Sequence, residues 1–247
     1  MKRISLLLIA VTVTVTNNVR AQNDLIFKNG FAIITVKVLN DTGMIDGFEY
    51  PSGAIVACDG SIPGPQDCHQ GRDATNFDDT DGLAGFSFTK LDSDGIELDV
   101  SAVTWSCVKD NVTGLIWEAK TTDGSIHDMD IQYQWGGVTH IGNYGTFFSS
   151  SWDSLVNGSN SEILCGLDNW RVPSNDELIS IVAYGVGNPS IDTTFFPNIA
   201  SNPYWTASPY SERPDSAWIV GFGTIGYLSE FSRFFSGRVM LVNSSNQ

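Results

Sequence analysis

Apolar positions along this chain come in short runs set apart by Gly, Pro, Asn and Asp, a spacing that predicts many short strands and few helices. The run Phe31–Leu39 is rich in β-branched residues and predicts a strand. With Leu25–Phe27 ahead of it and the turn sequence Lys28-Asn29-Gly30 between, a small hairpin is expected. Residues 58–100 carry recurring Gly, Pro and Asp, and short runs such as Gly85–Lys90 and Gly95–Val100 alternate as strands do. From Trp105 the pattern tightens. Trp105, Val108, Leu115, Ile116 and Trp117 predict two strands joined by the turn Asp110–Gly114. Residues 120–147 read mostly as loop, and three further strand candidates follow: Tyr204–Ser208, Ala217–Phe222 and Arg238–Val242.

Two helices stand out. Trp152, Leu155 and Val156 have helical spacing and predict a short helix over Ser150–Val156. The second begins with a capping box, Ser174 to Glu177, just after Pro173: the serine hydroxyl can accept from the third amide while Glu177 reaches back. Its buried stripe would be Leu178, Ile181 and Val182, with Gly185 and Gly187 ending it. Few short helices among many short strands make the fold class α+β.

The N-terminus changes the picture of location. Lys2 and Arg3 precede an apolar run, Ile4–Val15, and small residues lead to Ala21, the form of a secretory signal peptide cleaved after Ala21. The run is short of the roughly 20 residues that span a membrane, and no later segment predicts a membrane helix. Loss of Lys2, Arg3 and Arg20 takes the formal charge from −15 to about −18, which disfavours nucleic acid and anionic membranes as partners. The organisation expected is a signal peptide at 1–21, an N-terminal β segment at 22–57, a loop-rich region at 58–100, and a main domain at 101–247.

An even count of cysteines in an exported chain suggests two disulfides. Cys58, Cys68, Cys107 and Cys165 allow three pairings; Cys58–Cys68, closing a Gly/Pro loop, with Cys107–Cys165 is the favoured one. Zinc is disfavoured, because there is no C-x-x-C spacing and only His69, His127 and His140 could assist. The histidines sit in polar loops, where solvation is expected. The sequences Lys90–Gly95 and Asp79–Gly82 space their acids as a calcium loop does, but each lacks the first-position acid, so a turn explains both; calcium is the one cofactor left open, and otherwise none is expected. No nucleophile elbow, phosphate loop or metalloprotease helix is present, which argues against an enzyme.

Ordered motifs carry a resemblance. Leu39–Gly43, Gly71–Ala74, Gly85–Asp92, Trp105–Glu118, Leu164–Gly166, Asn169–Pro173, Glu177-Leu178, Phe196–Asn198, Tyr204–Ser208, Ala217–Trp218 and Val239–Val242, in order over roughly residues 38–242, together resemble the Lcl C-terminal (DUF1566) family of bacterial extracytoplasmic domains. That resemblance implies a disulfide-tied, C-type-lectin-like fold at a bacterial surface or in the periplasm, with a loop-rich binding face; one member ends a collagen-like adhesin and binds sugar. Two departures stand out: this chain is acidic, and the lectin calcium motifs are absent.

Trp105, Trp117, Trp170, Trp205 and Trp218 lie in these motifs and are expected in the core. The loops Pro209–Ser216 and Gly221–Gly237 mix Tyr and Phe with Ser, Glu and Arg, a composition that suits adaptable binding. The expected contacts are Tyr210, Glu212, Arg213, Asp215, Tyr227, Glu230 and Arg233, binding a glycan or a surface protein. The second expectation is a filament or envelope subunit, in which residues 25–39 pair with a neighbour's sheet edge.

Overall fold

The computed structural model describes residues 40–58, 64–75, 79–137 and 152–244, all within one compact unit that runs from Val38. The signal sequence, the expected hairpin at 25–39 and His140 lie outside the described residues. Among the described residues the architecture is strand-rich α+β, three small antiparallel sheets with few helices. In chain order they are β1 (Asp46–Phe48), β2 (Ile55–Ala57), α1 (Gly71–Thr75), β3 (Phe88–Leu91), β4 (Cys107–Asp110), β5 (Ile116–Glu118), α2 (Asp153–Glu162), α3 (Asn175–Ile179), β6 (Pro203–Pro209), β7 (Ser216–Gly221), β8 (Tyr227–Ser232) and β9 (Val242–Asn243).

Strands β1 and β2 pair alone. The other sheets run β3-β4-β5-β9 and β6-β7-β8. The first sheet, and β6 and β7 of the second, send side chains into two apolar clusters, one on each face, while no residue of β8 is fully buried. In the first, Phe88, Val108 and Trp117 enter one apolar cluster with Leu178, Phe195 and Phe196, while Leu91, Cys107 and Ile116 enter another with Trp135, Trp152 and Trp170. The second sheet divides likewise, Tyr204 and Val220 to the first cluster, Trp205, Ala217 and Ile219 to the second. Alternation along a strand sends neighbours to opposite faces, so two cores on two faces explain why the strands read as nearly continuous apolar runs.

The β4–β5 hairpin matches expectation, with Asp110 at its turn. The Asp110 carboxylate is buried and accepts from the amides of Val112 and Thr113. Burial pushes its pKa up, against the pull of those bonds. The favoured disulfides are both present, Cys58–Cys68 and Cys107–Cys165. Cys58, Cys68 and His69 cluster closely, but the two sulfurs are bonded to each other, leaving no thiolate pair for a metal.

Several elements differ from expectation. Helix α2 runs on to Glu162, past Val156. Helix α3 keeps its capping box, with Ser174 accepting from the Glu177 amide and Glu177 accepting from that of Ser174, but stops at Ile179 rather than near Gly185. The reason is local: the Ser180 hydroxyl and amide both donate to the Glu177 carbonyl, and the Ala183 amide turns to Ser190. Gly95–Val100 forms only a bridge, Leu91 to Glu97, rather than a strand. Arg238–Val242 is mostly a tie between sheets: Arg238 bridges Tyr204, and Val242 pairs with Trp117 and Arg171. Replacing Ser174 with alanine should cost about 1 kcal/mol, measurable by urea denaturation; no change would mean that Arg171 alone holds Glu177 in place, through its two bonds of 2.7 and 2.8 Å.

The Asp loops use their own carboxylates. Asp92 Oδ1 accepts from the amides of Asp94 and Ile96, Asp79 from that of Ala84, and Asp81 from the Ser87 hydroxyl. Lys90, between them, is buried and donates to the carbonyls of Val100 and Ala102 with its ammonium 3.8 Å from the Trp105 ring. These are turn contacts, as the spacing of the acids allowed.

Candidate functional site

One end of the second sheet is left open. A break in register between Trp205 and Pro209 gives β6 extra length against β7, and such a bulge re-aims the strand that carries it. Just beyond it the loop 210–215 is drawn tight, with the Tyr210 amide donating to Ser216 and the Ser216 amide to Arg213. The Tyr210 ring then meets Trp218 edge to face, centroids 5.0 Å apart. Trp218 and Tyr210 are each only partly buried, so Trp218 is a departure from the core placement expected of it. Trp105 is partly buried and packs against the first apolar cluster, and Trp117, Trp170 and Trp205 are buried, as expected.

Polar groups frame this pair. Glu230 lies directly opposite Trp218 in the β7–β8 register and accepts from Arg213 Nη2 at 2.8 Å. Glu212 accepts from the Tyr210 hydroxyl at 3.0 Å, and that bond is the first cause raising the tyrosine's pKa. Asp215 is exposed and accepts from the Ser216 hydroxyl. Tyr210, Glu212, Arg213 and Glu230 are thus drawn together around Trp218, with Asp215 on the same turn.

Two expected residues fall elsewhere. Tyr227 to Ser232 is strand β8, not loop, and Tyr227 pairs with Gly221 at the far end of it. Its ring lies close over Gly221, 2.2 Å from where a Cβ would stand, so a side chain at 221 would make the tyrosine move. Arg233 is buried rather than exposed. Its Nε donates to the Ser216 carbonyl and its guanidinium sits 3.8 Å from the Trp135 ring, so it braces the sheet from the opposite side. Phe234 and Phe235 are exposed, and Phe231 packs on Trp205 and Phe235.

A buried ionic cluster escaped the sequence reading. Glu118 is fully buried on β5. It accepts from Lys120 Nζ at 2.9 Å and from the Leu241 amide at 2.8 Å, and its Oε1 lies 2.7 Å from His127 Nδ1. His127 Nε2 reaches Glu162 at the end of α2, 3.1 Å away. His127 is therefore buried, contrary to the solvated placement expected. Burial alone would raise the Glu118 pKa, but Lys120 and His127 hold it below its ordinary value; burial alone would lower that of His127, but Glu118 and Glu162 lift it. The legible signal was Glu118 and Lys120 two apart on an extended segment, hence on one face. Every member is bonded to another and Glu118 has no exposed surface, so the cluster reads as a structural tie between β5, α2 and the C-terminal segment.

Comparison with known protein families matches residues 106–243, more than half of the chain, to the Lcl C-terminal domain. No curated protein matches the chain, and no solved structure does. Among the described residues no helix is long and apolar enough to cross a membrane.

Proposed function

We propose a binding function for this chain, which belongs to the Lcl C-terminal domain family: an exported, surface-exposed module that recognises a glycan through the open end of the β6-β7-β8 sheet. The observation that carries this reading is the Tyr210–Trp218 ring pair, partly exposed and framed by Glu212, Arg213 and Glu230. Rings offer a flat apolar surface to a sugar's C–H face, and charged groups beside them can bond its hydroxyls. The two disulfides suit an oxidising compartment outside the cytoplasm. The proposed fold is C-type-lectin-like; the short helices α2 and α3 beside small antiparallel sheets, with a disulfide that ties β4 to the turn after α2, support it. The module acts as a binder rather than an enzyme, and without calcium, since the Asp loops bond their own backbone.

A glycan array with the secreted chain tests this, run with calcium and then with chelator. Trp218→Ala should lower the affinity for any bound glycan by about tenfold or more, a loss typical of removing a central aromatic anchor, with the melting temperature little changed. Tyr210→Ala should do less, because it removes the edge partner alone. Unchanged affinity in both variants would remove this face, and chelator-sensitive binding would remove the calcium-free part of the reading.

A second reading has one observation in its favour. β8 is an edge of its sheet among the described residues, and Ile225, Phe234 and Phe235 are exposed at its two ends. Unpaired edges recruit strands. Sedimentation at rising concentration tests for an assembling subunit: a single monomeric species throughout would dismiss it.

A further inference from the structure

The framing charges of the open face say which kind of glycan it suits. Glu212, Asp215 and Glu230 put three carboxylates around Tyr210 and Trp218, against one guanidinium, Arg213. No lysine occurs between Pro203 and Gly237, and the other arginine there, Arg233, is buried under the opposite face. Arg213 is itself held by Glu230 in a pair that is largely solvent-exposed, so an incoming cation can exchange with it at small cost. Aromatic rings lined by carboxylates attract ammonium groups, through the ring quadrupole and through charge-assisted hydrogen bonds. The net charge of the chain, −15, adds long-range attraction for a polycation and repulsion for a sulfated or uronic polymer.

Resting on the glycan reading above, we propose that this face selects an amine-bearing glycan, a polymer of glucosamine type with free amino groups. The sugar ring lies against the Trp218–Tyr210 pair. Its ammonium groups reach Glu212 and Glu230, the latter displacing Arg213 toward solvent. An N-acetylated polymer offers the same ring but neutral amides in place of the ammonium groups, so the two polymers separate the charge contribution from the stacking contribution.

The test is calorimetric titration of the full secreted chain with glucosamine hexamer and with N-acetylglucosamine hexamer, at low and at physiological salt, below the pH at which the amines lose their protons. The expected result is binding of the free-amine hexamer about tenfold or more tighter than the acetylated one, weakened by salt. The Glu212→Gln, Glu230→Gln double variant should lose about tenfold for the free-amine hexamer and little for the acetylated one. A control removing two exposed carboxylates elsewhere, Glu49→Gln with Asp94→Asn, should change affinity less than about twofold. Equal affinity for the two hexamers would overturn the proposal while leaving the glycan reading intact, and so would an equal loss in the control, which would reduce the effect to overall charge. Tighter binding of a lysine hexamer than of the glucosamine hexamer would assign the face to basic peptides instead. Binding of both sugars that survives Trp218→Ala would overturn the glycan reading and this inference together.

Discussion

Glu118→Ala is expected to destabilise the protein by about 3–5 kcal/mol, the range found when one partner of a buried ion pair is removed. The carboxylate has no exposed surface and is met by Lys120, His127 and the Leu241 amide. Alanine would leave the Lys120 ammonium, 2 % exposed, buried without its counter-charge. It would also free the Leu241 amide, loosening the segment that ties both sheets. Glu118→Gln should cost less, because an amide oxygen can still accept from Leu241. Chemical denaturation measures both, and a loss under about 1 kcal/mol for Glu118→Ala would mean that water enters and rehydrates the cluster. The cluster also predicts a pH profile. His127 titrates above its ordinary 6.5 in the folded chain, so its contribution is complete below about 6.5 and fades as pH rises through the folded value. Glu118 titrates below its ordinary 4.5, so its contribution is present above about 4.5 and fades as pH falls through the folded value. The melting temperature should therefore stand highest between those limits; His127→Gln should flatten the upper limb and, because His127 also helps to hold the Glu118 pKa low, weaken the lower limb as well.

How much of this was legible follows from which forces are local. The β4–β5 hairpin and the start of α3 were readable because turn and cap chemistry act over four or five residues: Asp110 bonds amides two and three positions on, and Ser174 and Glu177 bond each other. The disulfide pairing agreed with loop composition. Strand β8 was not legible, because Tyr227–Ser232 places Ser and Glu among apolar residues and only its six-residue pairing with β7 makes it a strand. Arg233 reads from sequence as a surface cation, and only the Trp135 ring beneath it, almost a hundred residues earlier, makes burial tolerable. Of the candidate site, the 210–215 loop and Glu230 were found by composition. Trp218 was missed for an instructive reason: it sits in a strand whose neighbours Ala217 and Ile219 are core, and openness at one end of a sheet is a tertiary fact with no local signature.

The Cys107–Cys165 link should be worth about 4 kcal/mol, and Cys58–Cys68 nearer 3, if the larger closed loop restricts the unfolded chain more. The separations are 58 and 10 residues. The structure gives the first bond further weight. Cys107 lies on β4 directly opposite Glu118, and Cys165 is held at a positive φ of 52°, a conformation that costs a non-glycine residue about 1–2 kcal/mol. The loop at Gly95 presses on it so closely that a Cβ there would stand 2.4 Å from the Cys165 carbonyl oxygen. Cutting the bond lets residues 163–166 relax out of that conformation and draws the 92–97 turn with them, so native packing is lost along with the restraint. Cys107→Ala with Cys165→Ala should therefore lower the urea midpoint more than the corresponding Cys58, Cys68 pair, which closes a much shorter loop. Reduction without denaturant should follow burial: Cys107 and Cys165 are 0 % and 2 % exposed, so the Cys58–Cys68 bond should open first. Equal losses of stability from the two double variants would show that loop size is not what governs them, and that strain at Cys165 offsets most of what its bond contributes.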